Sequence, residues 1–419
     1  MKIEELYRLF IQNYLVDTDT RNIRKGSIFF ALKGDNFNGN KFAKEALNNG
    51  ASYAVIDEVE YNNQPKTILV NNVLETLQKL AQYHRKQLNI PIIALTGSNG
   101  KTTTKELINS VLSKKYKTAA TIGNLNNHIG VPLTLLAIEP TTEIGIIEMG
   151  ANHIKEIDFL CNIARPTFGL ITNFGKAHLE GFGSFEGVIK GKSELYDFLR
   201  ANKKIAFINS DDPIQIKQSQ GIKTITFNNN KIKYIEANPF VKVEFQDITI
   251  QSKLIGKYNY NNIAAAIAIG NYFKVSINDI KNAIENYEPA NNRSQIINKG
   301  SLKIILDAYN ANPSSMKVAL ENFSELKDKH KIVILGDMFE LGEDSFKEHQ
   351  QIADFALSLN FKKLYLIGKA FSAIDAKNAL TYPNFEDFKT SNKILNLKNT
   401  TLLIKGSRGM ALERILNLL

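Results

Sequence analysis

The residues best suited to chemistry are Gly97, Gly100, Lys101 and Thr102, in the stretch "IALTGSNGKTTTKELINSVL" from Ile93 to Leu112. Glycines let a backbone approach an anion closely, and successive N–H groups can point inward around it. A helix starting near Thr102 would add the positive end of its dipole. From there the Lys101 ammonium can reach β and γ phosphates, and the Thr102 hydroxyl can ligate Mg²⁺. The G-x-x-G-K-T spacing is shorter than the common G-x-x-x-x-G-K-[ST] loop, and position 95 is Leu rather than Gly. Even so, the strand, loop and helix context that a phosphate loop needs is present. Such a loop leaves the reaction open, because GTPases, kinases, helicases and ligases all use one.

Further chemistry-bearing residues follow other apolar runs. Glu148 closes "IGIIE", where a carboxylate can hold nucleotide-bound Mg²⁺ directly or through water. His178, Lys192 and Glu194 lie in the glycine-rich "ITNFGKAHLEGFGSFEGVIKGKSEL". Taken singly, His178 is more often a structural histidine and Lys192 a surface charge.

The elements that must position these groups fall into three regions. Residues 1–88 carry short strands at Ser27–Leu32 and Ser52–Asp57, closed by the helical "LETLQKLAQYHRKQL". Residues 89–290 carry buried-type strands at "IPIIALTG", Ile144–Gly150, Phe168–Phe174 and Lys204–Ser210. A polar stretch around Asn228–Asn238 reads as loop and edge strands, and Lys257–Phe273 reads as a helix. Residues 291–419 alternate strands ("KIILDAY", "KIVILGD", "KLYLIG", "TLLIKG") with helices ("SSMKVALENFSEL", "FKEHQQIADFALSL", "ALERILNLL"). Continuous apolar strands alternating with helices imply α/β domains with mostly parallel sheets covered on both faces. Such sheets bind ligands at the carboxyl ends of their strands, where the motifs fall.

Size and composition set the outer limits. The chain has 419 residues, 43% of them hydrophobic and 22% charged, enough for two or three cores and unlike a disordered chain. No apolar stretch approaches the ~18 residues that span a bilayer, so no membrane association is expected. Cys161 is the sole cysteine, so no internal disulfide can form, which fits a reducing cytoplasm. The net charge of +10 reads as a lysine-rich solvated surface. With no like-charge block, no aromatic–basic interleaving and no paired Cys/His spacing, no nucleic-acid partner is expected.

Together, "TGSNGKTTT", "EMGA", "NFGKAHLEGFGSFEGVIKGKSE", "GKYNYNNIAAA", "DAYNANPSSM" and "KGSRGM" resemble, in order, the landmarks of the Mur ligases of bacterial cell-wall synthesis. The resemblance covers essentially the whole chain. With "GNLNNHIGVPLTLL" and "LGDMFELGE" it points to the branch that adds D-alanyl-D-alanine to UDP-N-acetylmuramoyl-tripeptide, through an acyl phosphate, at the expense of ATP. It implies a small N-terminal α/β domain gripping the uridine diphosphate end, a central ATPase domain, and a C-terminal Rossmann-like domain meeting the dipeptide. It also implies a monomer with two Mg²⁺ ions. By resemblance, Gly97, Ser98, Asn99, Gly100, Lys101, Thr102 and Thr103 hold the phosphates. Thr102 and Glu148 hold one Mg²⁺, and His178 with a carbamylated Lys192 holds the second. Asn259 and Asn262 approach adenine, Arg293 the phosphates and Asp307 the ribose. Thr20, Arg21 and Lys33 contact the UDP end, Asn124, Asn126 and Asn127 face the nucleotide-sugar, and Lys405, Ser407 and Arg408 meet the dipeptide carboxylate. Two positions depart from many relatives: Tyr258 stands where they have His, and Asn292 where they have Gly.

Three alternatives remain open. A related ligase adding a single amino acid, such as the diaminopimelate-adding branch, usually carries an Asp-Asn-Pro-Arg signature that is not found after Arg293. A nucleotide-gated nucleic-acid-binding protein would show salt-sensitive binding and no covalent product. A catalytically dead relative is at odds with the retained Lys101, Glu148, His178 and Lys192.

Overall fold

A computed structural model describes residues 1–228, 231–289, 293–391 and 397–419, and in it each of the three regions carries its own sheet. The first is a parallel sheet in the order Val16–Asp17, Ile28–Phe30, Tyr53–Ile56, Thr67–Leu69. It ends in the helix Val73–Gln87, whose Asn72 side chain caps the Glu75 N–H. The buried face of this helix, with Leu77, Leu80 and Ala81, joins a core shared with the central region. Arg85 fastens the seam by donating to the carbonyls of Ala164 at 2.8 Å and Arg165 at 3.1 Å.

The central sheet runs Lys223–Phe227, Ile205–Asn209, Phe168–Ile171, Ile92–Thr96, Ile144–Glu148, Thr118–Ala120, all parallel. Side chains of a strand alternate between faces. Ile92 and Ala94 therefore enter one core, and Ile93 and Leu95 enter another beside Leu107, Ile108 and Val111 of the helix Lys101–Leu112. Both faces are dry, which is why the strand reads as an unbroken apolar run rather than an alternating one. The polar stretch after Phe227 belongs to an antiparallel sheet, Ile232–Ala237, Phe240–Phe245 and Ile248–Ile255, resting on the second core. Asn229 and Asn230 lie outside the described residues.

The third sheet runs Gln295–Lys299, Leu302–Asp307, Thr400–Lys405, Lys331–Gly336, Lys363–Ile367, Leu380–Tyr382. Only its first pair is antiparallel. The two edge strands, Gln295–Lys299 and Leu380–Tyr382, have no counterpart in the sequence reading. Neither is a long apolar run. The helix expected in "ALERILNLL" is a 3₁₀ run, Leu412–Leu418, with Leu412 and Ile415 buried. A spacing of three residues per turn keeps both on one side. Among the described residues, no helix is long and apolar enough to cross a membrane.

Candidate active site

The central strand Ile92–Thr96 lies between Phe168–Ile171 and Ile144–Glu148, so the chain crosses from one side of it to the other. A parallel sheet opens a crevice at the carboxyl ends of strands at such a reversal. The loop after Thr96 begins with Gly97 at φ +147°, where a Cβ would lie 1.9 Å from Thr172 Oγ1. Gly100 precedes the helix Lys101–Leu112 at φ +77°, where a Cβ would meet Asn262 Oδ1 at 2.7 Å. Only glycine fits either position. The loop is pinned to the neighbouring strand end: Ser98 Oγ donates to the Gly175 carbonyl at 2.8 Å, and the Asn99 N–H donates to Asn173 Oδ1 at 3.0 Å. Lys101 Nζ folds back onto the Gly97 carbonyl at 2.7 Å. Burial lowers its pKa; Glu148 opposes that shift and Arg293 adds to it.

Glu148, at the next strand end, is 1% exposed. Its Oε1 accepts from Thr102 Oγ1 at 3.2 Å and Asn126 Nδ2 at 2.8 Å, while its Oε2 is buried without a partner. A buried carboxylate oxygen left unpaired is costly, and a hard cation held by this oxygen and the Thr102 hydroxyl would satisfy it.

His178, in the left-handed region at φ +54°, lies beyond the third strand end, and its Nδ1 contacts a Glu340 carboxylate oxygen. Lys192, on the helix Phe185–Ala201, is not a surface charge: it is 0% exposed, and its Nζ has no partner and lies 5.1 Å from the Phe182 ring centroid. Burial first, then the nearby Lys101, push its pKa well down, toward the neutral amine. Among the described residues there is no cluster of three or more His, Cys, Asp or Glu able to hold a metal. The candidate oxygen and nitrogen donors are instead a carboxylate, a hydroxyl, an imidazole and a lysine that gains oxygens only once carbamylated.

A cleft of about 1020 Å³ opens over these strand ends. Lys101, Glu148 and His178 line it, as do Asn259 and Asn262 from the helix Asn259–Tyr272, and Arg293, Asp307 and Lys405 from the third region. Asn262 joins this helix to the helix Lys101–Leu112, accepting from Thr104 Oγ1 at 3.0 Å, and donates within its own helix to Asn259 Oδ1 at 2.8 Å. The Arg293 guanidinium lies 3.7 Å from the Tyr309 ring centroid, with its Nε buried and unpartnered. Asp307 accepts from Lys405 Nζ at 2.5 Å and from the Ser294 N–H at 3.2 Å. Two residues expected to meet different substrates are thus bonded to each other.

Other expected residues lie apart. Asn126 and Asn127 line the cleft and Asn124 does not. Ser407 accepts from the Phe339 N–H, Arg408 pairs with Glu413, and neither lines the cleft. Thr20, Arg21 and Lys33 also lie outside its lining; Arg21 pairs with Asp19 at 2.6 Å and Lys33 with Asp57 at 3.0 Å. Tyr258 lines the cleft and bonds Ser294 Oγ at 2.6 Å, whereas Asn292 and the expected boundary at 290–291 fall outside the described residues.

Residue-by-residue reading of the sequence missed the contacts that dock the third region. Asn312 Nδ2 donates to Asn99 Oδ1 of the phosphate loop at 2.8 Å. The Lys176 N–H donates to Ser314 Oγ at 2.9 Å, and its Nζ pairs with Glu348 at 2.6 Å. The Glu180 N–H donates to the Glu340 carbonyl at 3.3 Å. The only signal for them was that "DAYNANPSSM" and "LGDMFELGE" are motifs.

The chain is similar to known proteins over nearly its whole length. Three family models match in succession: "Mur ligase family, catalytic domain" over residues 13–94, "Mur ligase middle domain" over 95–270 and "Mur ligase, glutamate ligase domain" over 292–408. The UDP-N-acetylmuramoyl-tripeptide--D-alanyl-D-alanine ligase of Bacillus subtilis (strain 168) is 34% identical, covering 96% of this chain and 92% of that one. The Escherichia coli (strain K12) ligase of the same name is 33% identical over 96% and 93%. A crystal structure of MurF from Acinetobacter baumannii superposes with TM-score 0.84 at 28% identity, covering 96% and 92%. The MurF ligase of Thermotoga maritima in complex with ADP superposes with TM-score 0.83 at 27% identity, covering 96% of each chain.

Proposed function

The chain belongs to the Mur ligase family, and on that premise we propose how its cleft carries out the reaction. It is an ATP-dependent ligase that joins D-alanyl-D-alanine to UDP-N-acetylmuramoyl-tripeptide, giving the UDP-N-acetylmuramoyl-pentapeptide of peptidoglycan synthesis. The division of labour runs along the chain: residues 1–88 grip the UDP end, 89–290 bind ATP and 291–419 receive the dipeptide. The protein works in the cytoplasm as a monomer.

A carboxylate does not condense with an amine at neutral pH, because oxide is too poor a leaving group. Transfer of the γ-phosphoryl to the tripeptide carboxylate gives an acyl phosphate and ADP. The dipeptide amine attacks its carbonyl carbon, the C–N bond forms, a proton is lost, and phosphate departs with the C–O electron pair. The first step brings two anions together. At ~4 Å and an effective dielectric of 20 the repulsion is roughly 4 kcal/mol per unit charge pair.

The chain offsets that repulsion with groups already in place. In the loop Gly97–Thr103, the Ser98 and Asn99 N–H groups hold the backbone to Asn173, and the first turn of the following helix presents its N–H groups to the phosphates. Lys101 swings from the Gly97 carbonyl to the β and γ phosphates, and Arg293 meets them from the other wall. Asn259 and Asn262 face the adenine, and Asp307, held by Lys405, faces the ribose. Thr102 and Glu148 would hold one Mg²⁺, and His178 with carbamylated Lys192 a second; bound there, the ions would screen the oxygens and align in-line transfer. Lys192 suits carbamylation because its buried amine is biased to the neutral form that attacks CO₂. The Asn99–Asn312 bond and its neighbours hold the third region over the loop, which keeps water from the acyl phosphate.

Lys405, Ser407 and Arg408 remain the candidates for the dipeptide carboxylate, and Asn124, Asn126 and Asn127 for the nucleotide-sugar, with Thr20, Arg21 and Lys33 for the UDP end. The observation that carries the proposal is the convergence of Lys101, Glu148, His178, Asn262, Arg293 and Asp307 on one cleft. The test is mass spectrometry of products from ATP, UDP-N-acetylmuramoyl-tripeptide and either D-alanyl-D-alanine or single amino acids. Pentapeptide product with the dipeptide supports it. Product only with a single amino acid would assign the chain to another branch.

A further inference from the structure

Resting on the ligase reading above, we propose that Glu340, in the "LGDMFELGE" loop, receives the ammonium group of the incoming dipeptide and holds it beside the acyl phosphate. The argument begins with an electrostatic mismatch. The cleft is built for anions, with Lys101 and Arg293 lining it. The second substrate must deliver a cationic amine to the same place, so it needs a carboxylate that is near the reacting atoms, free to bind and open to solvent.

Three carboxylates of the cleft fail one of these conditions. Glu148 is sealed in, with one oxygen committed to Thr102 and Asn126. Asp307 is neutralised by Lys405. Glu156 accepts from the Asn152 N–H at 2.6 Å and the His153 N–H at 3.1 Å, and its other oxygen contacts the His153 ring.

Glu340 is not itself among the residues that line the cleft, but it stands at the margin: its side chain is 50% exposed, and it contacts His178, which does line the cleft. Only one of its oxygens is engaged there, with the His178 ring. As a glutamate carboxylate it supplies the negative charge that an ammonium group requires. The loop is also placed with unusual care. Glu340 sits at φ +63°, a region that side chains other than glycine, asparagine and aspartate seldom adopt. Its carbonyl is fixed by the Glu180 N–H across the domain seam. Strain retained at an interdomain contact is characteristic of positions that serve binding or catalysis. Because Glu340 belongs to the third region, it reaches His178 only when that region is docked, so the ammonium site forms together with the closed cleft.

The experiment compares D-alanyl-D-alanine with its neutral hydroxy analogue, D-lactyl-D-alanine. With ATP and the UDP-tripeptide saturating, the KM of the dipeptide and the inhibition constant of the analogue are measured for the wild type, Glu340→Gln and Glu340→Asp. A charge-assisted contact predicts that the wild type prefers the ammonium compound by about ten- to a hundredfold. Glu340→Gln should bring that ratio close to one while leaving the analogue's constant within about twofold, and Glu340→Asp should keep most of the preference. A ratio unchanged in Glu340→Gln, or equal weakening of both compounds, overturns the proposal. Equal weakening would mean that Glu340 merely orients His178 or the loop. Product formation by the wild type reads out the ligase assignment separately from this ratio.

Discussion

The surroundings of the cleft and the surface of the first region treat their charged groups in opposite ways. Around the cleft, Glu148 Oε2 at a strand end, Lys192 Nζ on the helix Phe185–Ala201 and Arg293 Nε from the third region are buried and unpartnered. In the first region, Arg21 and Lys33 are exposed and already paired, with Asp19 and with Asp57 and Glu58. A buried charged group without a partner destabilises the fold, and beside a cleft a bound ligand can supply the missing partner. An exposed ion pair contributes little either way and marks nothing by itself. On the proposed assignment, the phosphate side is committed in advance to its ligands, whereas the first region would have to exchange existing pairs for new ones.

The sharpest way to break this contrast is at Lys101. Lys101→Ala should abolish product formation, by more than about a thousandfold in kcat, because no other ammonium reaches the γ-phosphate from the loop. Residual turnover near wild type would remove the loop from the mechanism. Glu148→Gln keeps the bonds to Thr102 and Asn126 in shape but removes the charge. It should cost about a hundredfold in kcat and raise the Mg²⁺ concentration needed for half-maximal rate, read in a magnesium titration.

Lys192 separates function from stability. Lys192→Met should lose activity by at least about a hundredfold and yet melt a few degrees higher in CO₂-depleted buffer without nucleotide. It replaces a buried, unpartnered amine with an apolar side chain of similar length. A lower melting temperature would mean the amine has an internal partner and is not reserved for carbamylation.

Much of the phosphate side was legible in the sequence. The loop, Glu148 and His178 each follow a run whose β-branched residues are apolar on both faces, and both the sheet order and the burial bear that pattern out. The burial of Lys192 was not legible residue by residue. It depends on how the helix Phe185–Ala201 turns against Phe182, and a helix pattern broken by glycines hides that. The Lys405–Asp307 pair was also hidden, because its partners are 98 residues apart on adjacent strands. The same holds for the Asn99–Asn312 bond between regions. Edge strands such as Gln295–Lys299 lack the two-faced apolar run that identifies interior strands.

The smallest effects belong to the first region. Arg21→Ala and Lys33→Ala should each raise the KM for the UDP-tripeptide by about three- to tenfold, with kcat and the KM for ATP unchanged, in steady-state assays at moderate salt. Raising the ionic strength should enlarge these KM values in the wild type more than in the variants. An equal loss of kcat would show that this side, too, is coupled to the chemistry.

The central claim is that the cleft passes the γ-phosphoryl group to a carboxylate before the amine attacks. It is tested most directly with UDP-N-acetylmuramoyl-tripeptide carrying ¹⁸O in its terminal carboxylate. The account predicts that inorganic phosphate released during ligation acquires one ¹⁸O per turnover, and that Lys101→Ala releases none. Phosphate free of label while amide forms would contradict it.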